Sequence, residues 1–166
     1  MSQEGRNQKL RADRLVYYAE DIAALNQELD AFLELSQARA AFVVDRDGHM
    51  VARRGDCAGP ALESIAALVA GSFAATRELA RLVGESEFTS MSHQGARDSI
   101  QIALLGERAL FAAVYDQRSN LGLVRWHAKE CCGRMASLME RRADAPPPAL
   151  PGDYAKDAAA ALDQLL

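Results

Sequence analysis

The 166-residue sequence predicts an α+β domain in the order α-β-β-α-β-β-β-α, with helices packed on a five-stranded antiparallel sheet. Three observations carry this. Apolar residues recur at helical spacing over about 14–36, over 60–83 and again from Ser119 or Asn120 onward. Asp47-Gly48 separates two short apolar runs, and glycine there supplies the positive φ that a tight hairpin needs. Ser99–Leu105 alternates through Ile100, Ile102 and Leu104, whereas Ala109–Tyr115 is continuously apolar. That pair reads as a half-buried strand beside a central one.

The first helix, about Arg14 to Ser36, has the stripe Leu15, Tyr18, Ile22, Leu25, Leu29, Phe32 and Leu33. A strand follows at Ala41–Asp45, and its partner returns at about His49–Arg54. Gly55 to Gly59 is a loop, and Pro60 suits the first turn of the second helix. Gly84 suits the C-terminal cap of that helix. The next strand is placed at about Phe88–His93, Gly95 to Asp98 turns the chain, and Gly106-Glu107 makes the last hairpin. The third helix opens on Ser119 or Asn120 as a cap and carries Leu121, Val124, Ala128, Cys131, Met135 and Leu138 toward the core.

The second helix has two different faces. Leu62, Ile65, Val69, Phe73, Thr76, Leu79 and Val83 read as its core stripe. Beside them run Ala67, Ala70, Gly71, Ala74, Glu78 and Arg81, a small and nearly flat face bordered by charge. A helix that buries one side and keeps another smooth is built to lie against something, so the chain reads as a docking protein before it reads as an enzyme. Small residues permit close approach either of a partner protein or of the same helix in a second copy.

The composition, 49% hydrophobic and 25% charged, is that of an ordinary globular chain. A net charge of −4 argues against a general nucleic-acid binder, and the basic cluster Arg6, Lys9, Arg11, Arg14 lies in a polar stretch that reads as a solvated arm. The sequence lacks an apolar signal core and a bilayer-length apolar run, which places the protein in the cytosol as an expectation. Its three cysteines, Cys57, Cys131 and Cys132, are then expected as free thiols. The organisation expected is a disordered arm at 1–13, a domain at 14–143, a proline-rich linker at 144–152 and an amphipathic segment at 153–166. Asp144-Ala145-Pro146-Pro147-Pro148 cannot continue a helix. Beyond it Tyr154, Ala158, Leu162, Leu165 and Leu166 share one side, so the segment docks on a partner, docks back on the domain, or frays.

The element order, with the hairpin Phe42-Val43-Val44-Asp45-Arg46-Asp47-Gly48, resembles the Roadblock family of dimerising α+β domains. Within it the chain is most similar to the MglB-like regulators of bacterial gliding motility. That likeness rests on Leu68 to Thr76, Leu82 to Phe88, His93 to Ser99, Asn120 to Arg125 and the ending Ala161 to Leu166. The resemblance implies a homodimer that pairs the Phe88–His93 strands and binds a small Ras-like GTPase (MglA-like), accelerating GTP hydrolysis without an arginine finger. It implies the central helix pair as the contact with the GTPase switch regions, a C-terminal tail that reaches the GTPase elsewhere, and a setting in front–rear cell polarity with enrichment at a cell pole. Partner contacts expected on these grounds are Ala67, Ala70, Gly71, Ala74, Glu78, Arg81, Tyr154, Leu162, Leu165 and Leu166.

Nothing in the residues points to chemistry of the chain's own, and neither cofactor nor metal is expected. His49, His93 and His127 lack metal-ligand spacing, and the G-x-x-x-x-G-K-[ST] phosphate loop is absent. Cys57 has Arg53 and Arg54 nearby but no evident base. Arg53, Arg54 and Arg118 are the arginines placed to reach a partner. Two readings stay open: a GTPase-activating regulator, and a Roadblock scaffold dimer that binds a GTPase or polar complex without stimulating hydrolysis.

Overall fold

The computed structural model describes residues 19–56 and 61–143. The arm at 1–13, Leu15, Tyr18, Cys57, Pro60, the linker and the segment at 153–166 all lie outside the described residues. The elements follow the expected order: α1 (Ala19–Ser36), β1 (Ala40–Asp45), β2 (Met50–Gly55), α2 (Leu62–Leu82), β3 (Ser90–Gln94), β4 (Ser99–Leu105), β5 (Ala109–Tyr115) and α3 (Leu121–Ala143). The sheet runs β2-β1-β5-β4-β3 and every neighbouring pair is antiparallel. β5 lies at its centre, which is why that strand carries an unbroken apolar run.

The two sheet faces are covered differently. α1 and α3 pack side by side on one face, where Leu25, Leu29, Phe32, Phe111, Val124 and Met135 form the larger core. The Phe32 and Phe111 rings meet edge to face with centroids 4.9 Å apart. Arg134 Nε donates to Glu28 Oε2 at 2.7 Å, closing the seam between the two helices. Cys131 and Cys132 are free thiols buried in this face, and burial pushes the Cys131 thiol up to about 12. Both are therefore core residues without thiolate character at neutral pH.

On the other face α2 lies over β1 and β2, packing Val69 and Phe73 against Phe42, Val44, Ile102 and Leu110. Its ends are set locally. Gly84 (φ +86°) follows the helix; its N–H donates to the Arg81 carbonyl at 3.1 Å and the Glu85 N–H to the Ala80 carbonyl at 2.9 Å. This paired closure needs a left-handed residue at that point. The Asp47-Gly48 turn forms as expected, with Gly48 at φ +93° and Asp45 Oδ1 accepting from the Asp47 and His49 N–H groups. Asn120 caps α3 through its Oδ1, which accepts from the Leu123 N–H at 2.9 Å.

Two expectations are corrected. The strand expected at Phe88–His93 spans Ser90–Gln94, because the chain before it is held as a loop by the Glu87 side chain. The core stripe of α2 is rotated. Leu62, Ala66, Val69, Ala70, Phe73 and Ala80 are buried, whereas Leu79 and Val83 are exposed and Thr76 is only half-buried. Ala66, Ala70 and Ala80 let the helix axis approach the sheet closely, so they share the buried side with Leu62, Val69 and Phe73 while Leu68, Leu79 and Leu82 face outward.

Candidate partner-binding surface

The outward side of α2 carries two parallel strips. One is Leu68, Ala75, Leu79 and Leu82, in which the leucines are 71%, 53% and 77% exposed. Residues three, four or seven apart project to the same side of a helix, so these four make a continuous apolar ridge. On the sheet, Met91, Ile100 and Leu104 are partly buried and packed at the margin of the α2 core. β3 is the edge strand at the other end of the sheet from β2 and carries the unpaired backbone groups of an edge.

The other strip holds Ala67, Gly71, Ala74, Glu78 and Arg81, all exposed. It comprises the small-residue face expected from the sequence with one correction. Ala70 is 6% exposed and packs in the α2-side core, so it forms no part of the outer surface. Arg81 Nη1 donates to Glu78 Oε2 at 3.3 Å, a pair that both ends leave open to solvent. Ala67 also has an internal duty. A Cβ on Gly48 would stand 2.9 Å from Ala67 Cα, so the β1–β2 turn rests directly on α2 at this residue. The strip is thus bordered by a turn that glycine allows to come close.

Glu87 holds the far end of α2 in place. Arg46 grips it with two hydrogen bonds, Nη1 to Oε1 at 2.7 Å and Nη2 to Oε2 at 3.2 Å, while Arg77 Nη2 reaches Oε1 at 3.3 Å. One carboxylate therefore joins the end of β1, α2 and the loop before β3. The Arg46 hydrogen bonds, opposed by partial burial and aided by Arg77, hold the Glu87 carboxyl below the usual range. A depressed carboxylate stabilises the fold fully above its unfolded pKa, and that stability is lost as pH falls through the folded value. Urea melts from about pH 7 to about pH 3 should show this acid loss in the native chain and a flatter profile in Glu87→Gln. Parallel profiles would mean that the triad contributes nothing.

The arginines expected within reach of a partner are placed apart. Arg54 Nε donates to Asp30 Oδ1 of α1 at 2.7 Å, on the face of the sheet opposite α2. Arg118 is held by Asp116 in the loop before α3. Arg53 is exposed at the edge strand, opposite Phe42 and so on the α2 side. Among the described residues, no group of three or more His, Cys, Asp or Glu side chains gathers to hold a metal ion. His49 Nδ1 instead pairs with Asp45 Oδ2 at 3.1 Å. Among the same residues no helix is long and apolar enough to cross a membrane. Tyr154, Leu162, Leu165 and Leu166 lie outside the described residues.

Sequence reasoning missed the leucine ridge, although the seven-residue spacing of Leu68, Ala75 and Leu82 was a signal for it. It also missed the Arg46–Glu87 link, for which a separation of 41 positions leaves no local signal.

Comparison with known proteins agrees with this architecture. The Roadblock/LC7 domain model matches residues 25–115. Among solved structures, the gliding protein MglB from Thermus thermophilus is 34% identical with a TM-score of 0.72, over 76% of this chain and 96% of that one. A structure of MglB with a tetrameric arrangement is 33% identical with a TM-score of 0.72, over 76% and 95%. Myxococcus xanthus MglB is 32% identical with a TM-score of 0.68, over 71% and 96%. No curated protein matches the sequence. The domain match spans α1 through β5, and the similar structures are covered almost end to end, so this chain belongs to the Roadblock/LC7 family.

Proposed function

We propose that this protein is a homodimeric, MglB-like regulator that binds a small Ras-like GTPase of the MglA type and accelerates its GTP hydrolysis. Its setting would be the control of cell polarity and gliding motility, with the protein in the cytosol and enriched at a pole. The observation that carries this reading is the similarity, at 32–34% identity, to MglB structures whose own chains are covered by 95% or more.

The two strips of α2 give the reading a division of labour. The ridge Leu68, Leu79 and Leu82, together with Met91 and Ile100 and the open edge of β3, suits a second copy. An isologous contact there would cover the leucines and pair the two β3 strands across the two-fold axis. The strip Ala67, Gly71, Ala74, Glu78 and Arg81 then faces outward along the helix pair for the GTPase. Arg54 and Arg118 are each engaged by a carboxylate of their own chain while Arg53 is exposed on the α2 side, so the reading that the dimer repositions the catalytic residues of the GTPase rests on the resemblance to MglB.

The test is GTP hydrolysis by an MglA-type GTPase with and without this protein, beside pull-downs on the GTP- and GDP-loaded forms and light scattering of the free protein. Acceleration, selectivity for the GTP form and a mass of two chains are the expected results. Binding without acceleration would make the protein a scaffold dimer, and no binding would remove the GTPase from the account.

A further inference from the structure

The outer surface of the α1–α3 layer carries a second apolar patch, on the opposite side of the sheet from α2. Leu35 is 55% exposed, Leu123 36%, and Trp126, the chain's only tryptophan, 66%. The seam between the two helices brings them together. α1 and α3 run antiparallel, since Arg134 bonds to Glu28 while Ser119 Oγ donates to the Ser36 carbonyl. Leu35 stands seven residues after Glu28 and Leu123 eleven before Arg134, so both repeat the side on which each helix meets the other. Leu35 lies about 10 Å beyond Glu28 along α1, at about 1.5 Å per residue. Leu123 and Trp126 lie about 12 and about 8 Å before Cys131 along α3, and Cys131 Sγ donates to the Glu28 carbonyl. The three side chains are therefore level, at one end of the layer. Charge divides along the same seam. α1 carries five acidic residues and no basic one, whereas α3 carries five basic and two acidic. Glu34 adjoins Leu35, and Arg125 and Lys129 flank Trp126. All three charged residues are exposed, and none is in an ion pair among the described residues.

We infer that this patch is a contact with a second copy of the chain, related by a two-fold axis that runs along the seam. Such an axis lays α1 of each copy on α3 of the other at the same level. Leu35 and Leu123 then meet across the axis, and each Trp126 lies over α1 of the other copy. Glu34 of each copy faces Lys129 of the other, with Arg125 on the same basic side. The apolar centre is thus flanked by one acidic and one basic half that exchange places under the rotation, so the surface is its own complement. An axis set across the helices would put α1 on α1 and oppose acid with acid. A partner of another kind would need a matching division of charge that this chain already supplies. The sheet separates the patch from the α2 ridge and from the small-residue strip, so this contact neither uses nor blocks them. It does not rest on the proposed function. Where the ridge also pairs copies, the assembly exceeds two chains.

An exchange of charge tests the arrangement in the full-length protein without any GTPase. Light scattering is read over a wide range of protein concentration, beside acrylamide quenching of Trp126. The native mass should rise with concentration, and quenching should fall about twofold as the exposed indole is covered. Trp126→Ala should weaken the association about 30-fold. Glu34→Lys and Lys129→Glu should each weaken it about tenfold, because the two-fold axis repeats every like-charge contact. The double variant Glu34→Lys, Lys129→Glu should regain most of the native association, which a general disturbance of either helix would not allow. Two chains that the single variants separate would uphold the contact and leave the α2 ridge unpaired. A double variant as weak as the single ones would overturn the pairing of α1 with α3. Association that no variant weakens would overturn the proposal and leave the dimer through the ridge standing. Protection of Trp126 that appears only on adding a GTP-loaded GTPase would overturn it in favour of that partner.

Discussion

Phe111→Ala is expected to lower the stability of the domain by about 3–5 kcal/mol, with a melting temperature lower by roughly 10–20 °C. Phe111 is fully buried on the central strand, and its ring meets Phe32 of α1 edge to face. Truncation removes transfer free energy, opens a cavity and deletes the aromatic pair. The cavity would sit where β5, α1 and α3 all converge, in the core that also holds Leu25, Val124 and Met135. Rigid packing on three sides leaves little room for collapse, which puts the expected loss in the upper range for such changes. Chemical denaturation with an unchanged m-value would check it. A loss below about 1 kcal/mol would mean that the Phe32–Phe111 contact is not the centre of this core.

That core was readable from the sequence because each of its elements has a strong local pattern. Leu25, Leu29 and Phe32 repeat at helical spacing, and β4 and β5 begin and end where alternation and the Gly106-Glu107 turn place them. The orientation of α2 was not readable in the same way. Spacing and bulk put Leu79 and Val83 in the core and Ala70 on the outer face, whereas Leu79 and Val83 are exposed and Ala66, Ala70 and Ala80 are buried. Alanine is apolar enough to be core and small enough to be surface, so only the distance between helix and sheet decides. That distance is set by partners far away in sequence, among them Phe42 and Leu110. The link from Arg46 to Glu87 was hidden for the same reason. The small-residue strip was visible as a pattern, but a use for it came from resemblance and not from any chemistry in the side chains.

On the proposed function, Ala74→Arg combined with Glu78→Arg should abolish binding of an MglA-type GTPase while leaving the dimer intact. Both residues are exposed on α2, one turn apart, and neither belongs to the apolar clusters that hold the fold. An arginine at position 74 raises a long charged side chain beside Ala67 and Gly71, the other small residues of the strip. Close backbone approach is then blocked over the whole strip. The second change replaces the acid that pairs with Arg81, which puts three positive charges on adjacent turns. Disruption at the centre of a contact costs well over about 2 kcal/mol, so affinity should fall by about 30-fold or more. Leu68, Leu79 and Leu82 project from a different side of the helix, so light scattering should still report two chains. Loss of both binding and dimer would mean that the two strips are one surface. Binding that survives would move the GTPase off this strip, to the ridge side or to the turns around Arg46.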